Sequence, residues 1–233
     1  MRMEVLAALA ACGFAAVAHA GTATISINEI RVDQTGADND EYFELAGAPG
    51  TSLAGLWYVV IGDGTGGSGV VESVTDLSTY SIAADGYFSA GESTFTGDYG
   101  SLDAVLGGPN PLNFENTDNV THLLLANFTG AVNVDLDTND DGVLDSTPWG
   151  SIVDSIALVN GAGDRVYSST QVGPDGTFHP GHVYRFPNFS GAWNIGQFNP
   201  VDGQDTAGSA NVPTPGAIAL TGVAALVAFR RRR

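Results

Sequence analysis

The chain has 233 residues, no lysine, eight arginines and 26 acidic residues, for a formal charge of −18. That balance repels a phosphate backbone, so nucleic acid is excluded as a direct partner. The single cysteine, Cys12, leaves no intrachain disulfide, and 31 glycines with 10 prolines point to a chain of many turns.

In chain order, residues 1–20 come first. Arg2 precedes an apolar run from Val5 to Val17, and Ala18-His19-Ala20 stands before Gly21. This is the layout of a signal peptide cut by signal peptidase between Ala20 and Gly21. Leu9-Ala10-Ala11-Cys12 also resembles a lipobox, which would make Cys12 a lipidated N-terminus.

The body, residues 21–211, holds only Arg31, Arg165 and Arg185 against 25 of the 26 acids, a formal charge of −22. Candidate strands fall at 24–31, 41–46, 55–62, 70–74, 86–90, 121–128, 151–159, 164–168, 182–186 and 191–195. Several are rich in β-branched and aromatic residues, as in LWYVVIG, and GDGTGGSG, GGPNP and GPDG between them read as turns. Leu102 to Leu106 offers one helical turn at most. Short strands without interleaved helices predict an all-β sandwich. In EYFEL, Tyr42 and Glu44 share one face and Phe43 and Leu45 the other, the pattern of a half-buried strand.

DTNDDGVLD, residues 137–145, is the stretch with the clearest ligand register. Calcium takes six to eight oxygens, and a loop supplies them best when side chains alternate inward around a glycine turn. Asp137, Asn139 and Asp141 fall at alternate positions, Gly142 makes the turn, Val143 offers its carbonyl, and Asp145 binds directly or through water. Pro148 stands where an EF-hand has its bidentate glutamate, so a dockerin-like or thrombospondin-repeat-like loop is the nearer comparison. The competing reading is a solvated turn, because Asp, Asn and Gly favour Asx-turns. In an exported chain without a disulfide, a structural calcium site is the expectation.

Other constellations are plainer. Asp38-Asn39-Asp40-Glu41 reads as a solvated loop. His179-Pro180-Gly181-His182 has zinc-like spacing without a third matching ligand, and His122 opens an apolar strand with no nucleophile beside it. GDGTGGSG lacks the lysine and helix of a phosphate cradle.

Residues 212–233 close the chain. Val212-Pro213-Thr214-Pro215 precedes an apolar run from Gly216 to Phe229 and four arginines. Fourteen residues make a helix of about 21 Å, a short transmembrane segment, and the arginines fit a cytoplasmic stop. Proline motif, span and arginine cluster in this order resemble a PEP-CTERM sorting signal, with Thr214 in place of the usual glutamate. The resemblance implies recognition at Pro213 and Pro215 by an exosortase in the inner membrane of a Gram-negative-type bacterium. It also implies delivery to the cell surface or extracellular material, with transient anchoring in the membrane.

The body carries a second resemblance. Ile27-Asn28-Glu29-Ile30, then Glu41-Tyr42-Phe43-Glu44-Leu45, then LAGLWYVVIGDG, with Gln204-Asp205-Thr206-Ala207-Gly208-Ser209-Ala210-Asn211 at the end, are similar to a bacterial lamin tail domain. Ala207 stands where that family has proline. The resemblance implies an immunoglobulin-like sandwich, here with loop insertions over about 63–120. A fold does not assign an activity. The functional expectation is therefore an exported, non-enzymatic binding or structural module, calcium-stabilised, at the envelope or in exopolysaccharide material. The alternative is a secreted, nuclease-like metal-dependent hydrolase whose acids converge only in the folded chain.

Overall fold

The computed structural model describes residues 24–212, apart from 38, 65–66, 98, 108–110, 113, 115, 117, 162–164 and 202–203. The signal segment with Ala20 and Gly21, Cys12, and the tail with Pro213 and Pro215 lie outside the described residues.

Eleven strands and no helix make up the described chain. They are β1 (Ser26–Arg31), β2 (Tyr42–Ala46), β3 (Leu56–Gly64), β4 (Gly67–Asp76), β5 (Tyr87–Gly91) and β6 (Ala104–Val105), then β7 (Val120–Ala126), β8 (Ser151–Leu158), β9 (Gln171–Val172), β10 (His182–Phe186) and β11 (Ala192–Ile195). One sheet runs β11-β10-β1-β2-β5-β6 and the other β4-β3-β7-β8-β9. All pairs are antiparallel except β5–β6 and β8–β9, so each sheet is mixed. No helix among the described residues is long and apolar enough to cross a membrane.

Alternation along the strands builds the shared core. Ile27, Ile30, Phe43 and Leu45 of the first sheet meet Tyr58, Val60, Leu124, Ile156 and Leu158 of the second in one buried cluster. Phe43 stacks on Tyr58 across the interface, ring centroids 3.8 Å apart and planes 5° from parallel. Asp154 of β8 ties the sheets at their edge, taking Arg185 Nη2 of β10 at 3.0 Å and the Ile27 N–H at 2.9 Å. This is a two-sheet, sandwich-like architecture, as the short apolar runs predict.

Several expectations need correction. Residues 165–168 form no strand, and Gln171–Val172 pairs there instead. Leu102 to Leu106 holds the short strand β6 rather than a helical turn. GDGTGGSG is not a free loop, since β3 and β4 run into it as a hairpin pairing Gly64 with Gly67. EYFEL is not half-buried: Tyr42 and Glu44 are as enclosed as Phe43 and Leu45. Their face is covered by the returning C-terminal segment, which local pattern could not disclose.

The second sheet has a core on its outer face as well. Val59, Ile61, Val71, Leu123 and Leu125 are covered there by Phe128 and Leu136, with Leu144, Trp149 and Tyr167 packed alongside. The segment 128–149 is therefore a cover over apolar surface, and it contains the acidic loop.

Candidate functional site

Two polar assemblies stand out, one buried and one at the surface. The buried one joins the first strand to the last segment. Glu29 of β1 faces Glu44 of β2 across the ladder, both fully enclosed. Glu29 Oε1 accepts from His182 Nε2 at 2.9 Å, the Thr206 N–H at 3.0 Å and the Tyr42 hydroxyl, and Oε2 accepts the Thr206 hydroxyl at 2.6 Å. Glu44 accepts from Asn28 Nδ2 and from the Gly208 and Ser209 N–H groups. Burial and the neighbouring Glu29 push the Glu44 carboxyl well up. Burial and Glu29 push the Tyr42 phenol well up too, so it stays a hydrogen-bond donor.

Arg31 has no exposed surface. Its Nε meets Asp205 Oδ1 at 2.5 Å, Nη1 reaches the Asp33 and Phe198 carbonyls at 3.1 and 2.8 Å, and Nη2 reaches the Gln197 carbonyl at 3.2 Å. Asp205 Oδ2 accepts the Val201 N–H at 2.7 Å. Asn211 ends the seam, donating to the Asn28 and Arg185 carbonyls, with its Oδ1 2.6 Å from the Thr206 hydroxyl, whose one proton lies between it and Glu29 Oε2.

Among the described residues, Glu29, His182 and Asp205 alone bring three metal-type ligand atoms within 4.8 Å of one another. The three lie 23 to 176 residues apart in sequence, and no local pattern joins them. The donor set does not suit a cation. Every oxygen of the two carboxylates is already committed to an N–H or O–H, and the Arg31 guanidinium supplies the local positive charge. The cavity beside Arg31, Tyr42 and Asp205 is about 10 Å³, room for about one water. The assembly is a buried hydrogen-bonded clasp that joins β1, β2 and β10 to residues 205–211.

The surface assembly is the loop 137–145. It docks on β4 through Leu136 N–H to the Gly69 carbonyl at 3.0 Å, Val71 N–H to the Val134 carbonyl at 3.0 Å and Asn133 N–H to the Val71 carbonyl at 2.7 Å. Asp137 is enclosed, whereas Asn139, Asp141, Val143 and Asp145 are exposed. Asp137 Oδ1 accepts the Asp141 N–H at 3.2 Å, and Oδ2 accepts the Gly142 N–H and the Tyr167 hydroxyl, both at 2.8 Å. Asn139 Oδ1 accepts the Asp141 N–H at 3.1 Å and Asp141 Oδ1 the Val143 N–H at 2.8 Å. Asp145 Oδ2 turns to the Thr138 N–H and hydroxyl, at 2.9 and 2.6 Å. Asp140 and Gly142 adopt positive φ, 54° and 86°. Although desolvation acts to raise it, the Asp137 carboxyl is held below the usual range by the Tyr167, Gly142 and Asp141 donors and by Arg165.

The side chains of Asp137, Asn139, Asp141 and Asp145 each accept a backbone N–H of the loop itself. The carboxylates themselves stay apart, and two of the five predicted donors, the Asn139 amide and the Val143 carbonyl, are neutral oxygens. Asp40 behaves differently, capping the Thr96 N–H and hydroxyl at 2.7 and 3.0 Å.

His122 lies in the core with Nδ1 at 2.9 Å from the Tyr58 hydroxyl. Burial, reinforced by nearby His179, pulls its pKa down to about 3. The folded chain therefore holds a neutral imidazole while the unfolded chain takes up a proton near pH 6.5. Its contribution to stability is full above pH 6.5 and falls toward pH 3, at a limiting slope of about 1.4 kcal/mol per pH unit. Glu44 acts in the opposite sense, because its raised pKa favours the folded state on acidification. The difference in urea-unfolding free energy between wild type and His122→Gln cancels the Glu44 contribution. It is expected to shrink as the pH falls from 7 to 5. A constant difference would contradict the buried neutral state.

Searches against family models, curated proteins and solved structures return no match for this chain.

Proposed function

We propose that this chain is an exported, non-enzymatic binding or structural module of a bacterial cell surface. In this reading it has an immunoglobulin-like sandwich of lamin tail type, a signal peptide, and a PEP-CTERM-like tail that an exosortase processes. Calcium staples the loop at 137–145. The reading is supported above all by where the resemblance residues fall. Asn28, Glu29, Glu44, Asp205, Thr206 and Asn211, quoted from opposite ends of the body, belong to one buried hydrogen-bonded seam. A family signature made of fold-closing residues specifies a scaffold before it specifies a reaction.

Calcium fits the donor set of the loop. Hard oxygens from Asp137, Asn139, Asp141, Asp145 and the Val143 carbonyl suit that ion. Oδ1 of Asp137, Asn139 and Asp141 each accept one backbone N–H and keep a lone pair, whereas Oδ2 of Asp137 and of Asp145 each take two donors. The ion would neutralise acids crowded on a surface of formal charge −22 and fix the cover over the outer core.

The hydrolase alternative draws on the Glu29, His182 and Asp205 convergence. Its commitment to internal donors counts against an open metal position.

Fractionation tests the export reading. The full chain, tagged internally in an exposed loop, is produced in a host with an exosortase and in the same host without it. Surface exposure and loss of the tail in the first host alone are expected. Cytoplasmic retention with both ends intact would contradict the proposal.

A further inference from the structure

The turn between β10 and β11 presents apolar rings to solvent on a strained backbone. Phe186, Pro187, Phe189 and Ser190 all lie at the surface, with Phe186 37% and Phe189 41% exposed. Phe189 has φ of 71°, in the left-handed region that bulky side chains rarely enter. Hydrogen bonds hold it there. Its N–H donates to Asn28 Oδ1 at 3.0 Å, and its carbonyl accepts the Ser26 hydroxyl at 2.8 Å. The Gly191 N–H closes the turn on the Pro187 carbonyl at 2.8 Å. Tyr87 packs beside the Phe189 ring, centroids 6.0 Å apart, yet does not cover it. Backbone strain that holds an aromatic ring in water points to a contact made by that ring.

Two further observations say what the contact is. No charged residue occurs from Phe186 to Val201, although the body carries 25 acids. Both ends of the body also meet at this turn. Ser26, at the start of β1, bonds Phe189, and at the far end of the body the Asn211 N–H donates to Asn188 Oδ1 at 2.9 Å. Asn188 Nδ2 returns to the Asn211 carbonyl at 3.1 Å, and Val212, 43% exposed, follows. The apolar runs 5–17 and 216–229 flank the body in sequence, so both attach at this end. Only Pro213, Thr214 and Pro215 separate Val212 from the second run, a reach of at most about 15 Å. With that run in a bilayer, the turn stays within this distance of the lipid surface.

We infer that the 186–191 turn is a membrane-docking surface, which sets the Phe186 and Phe189 rings into the interfacial layer of a neutral phospholipid bilayer. Exposed rings leave water there while the polar backbone of the turn stays among the headgroups. The body's charge of −22 is repelled by anionic lipid, which selects a neutral surface. The inference rests on the reading of the flanking runs as membrane segments, and it adds a contact made by the folded body itself.

The test uses the full chain as Cys12→Ser with Ser190→Cys carrying a nitroxide, reconstituted in phosphatidylcholine vesicles. Flotation reports whether the flanking runs anchor the chain. Collisions of the label with oxygen and with a water-soluble nickel chelate report where the turn sits. A floating chain with its label shielded from the chelate and open to oxygen is expected. Phe186→Ser combined with Phe189→Asn, a residue that tolerates positive φ, loses the shielding while floating and melting as before. A chain that floats with its label open to the chelate overturns the inference and leaves the anchoring reading intact. Shielding from both reagents in the absence of lipid also overturns it, because the chain's own tail or a second copy then covers the rings. A chain that does not float overturns both.

Discussion

Asp205→Ala is expected to cost about 3–5 kcal/mol of folding stability, because it strands a buried cation. Arg31 has no exposed surface, and among the described residues its only carboxylate partner is Asp205, at 2.5 Å from Nε. The three carbonyls around the guanidinium accept hydrogen bonds and carry no formal charge. The Val201 N–H loses its acceptor in the same variant, loosening the turn that leads into 204–211. For a body of about 190 residues this corresponds to a fall in melting temperature of about 10 °C. Arg31→Met combined with Asp205→Ala should cost less than the sum of the two single changes, since the second removes a charge already unpaired. Additive losses in urea denaturation would mean that the pair is not the clasp described.

Gly69→Ala is the second large effect expected, of about 3 kcal/mol. Gly69 has φ of 91°, a conformation that disfavours any side chain, and a Cβ there would come within 2.6 Å of Asp137 Cβ and 2.9 Å of its N. Both obstacles are close to backbone and cannot swing away. The Leu136 N–H bond to the Gly69 carbonyl is the hinge on which the cover segment docks, so the strain transfers to the outer core. Thermal unfolding should show a lower, broader transition, with Trp149 becoming more exposed in fluorescence. A variant with the wild-type transition would show that the cover does not depend on this close approach.

The β architecture was legible because the main strands carry their own pattern. LWYVVIG is a continuous apolar run, as suits a strand covered on both faces, and the turn residues around it leave few ways to continue. β9 was not legible, since two residues, Gln171 and Val172, hold no periodicity. The clasp was half legible. INEI and QDTAGSAN resemble a family pattern, yet that resemblance does not reveal that Glu29, His182 and Asp205 meet, because their contact depends on the fold closing. One signal was available. Arg31 is one of three arginines in a body of 25 acids, and it closes the strand SINEIR two residues after Glu29, a spacing that puts both charges on one strand face. The acidic loop was legible in register, from its alternation around Gly142. Its dependence on Gly67 and Gly69 was not, because the docking partner lies some 70 residues away.

The measurement closest to the central claim is the melting temperature of the secreted body in calcium against chelator, for wild type and Asp141→Ala. One site filled at a hundredfold excess over its dissociation constant adds about 2.7 kcal/mol, and hence a rise of about 5–10 °C. The calcium-staple account predicts that rise for wild type and none for Asp141→Ala. Identical wild-type melts in calcium and chelator would contradict it.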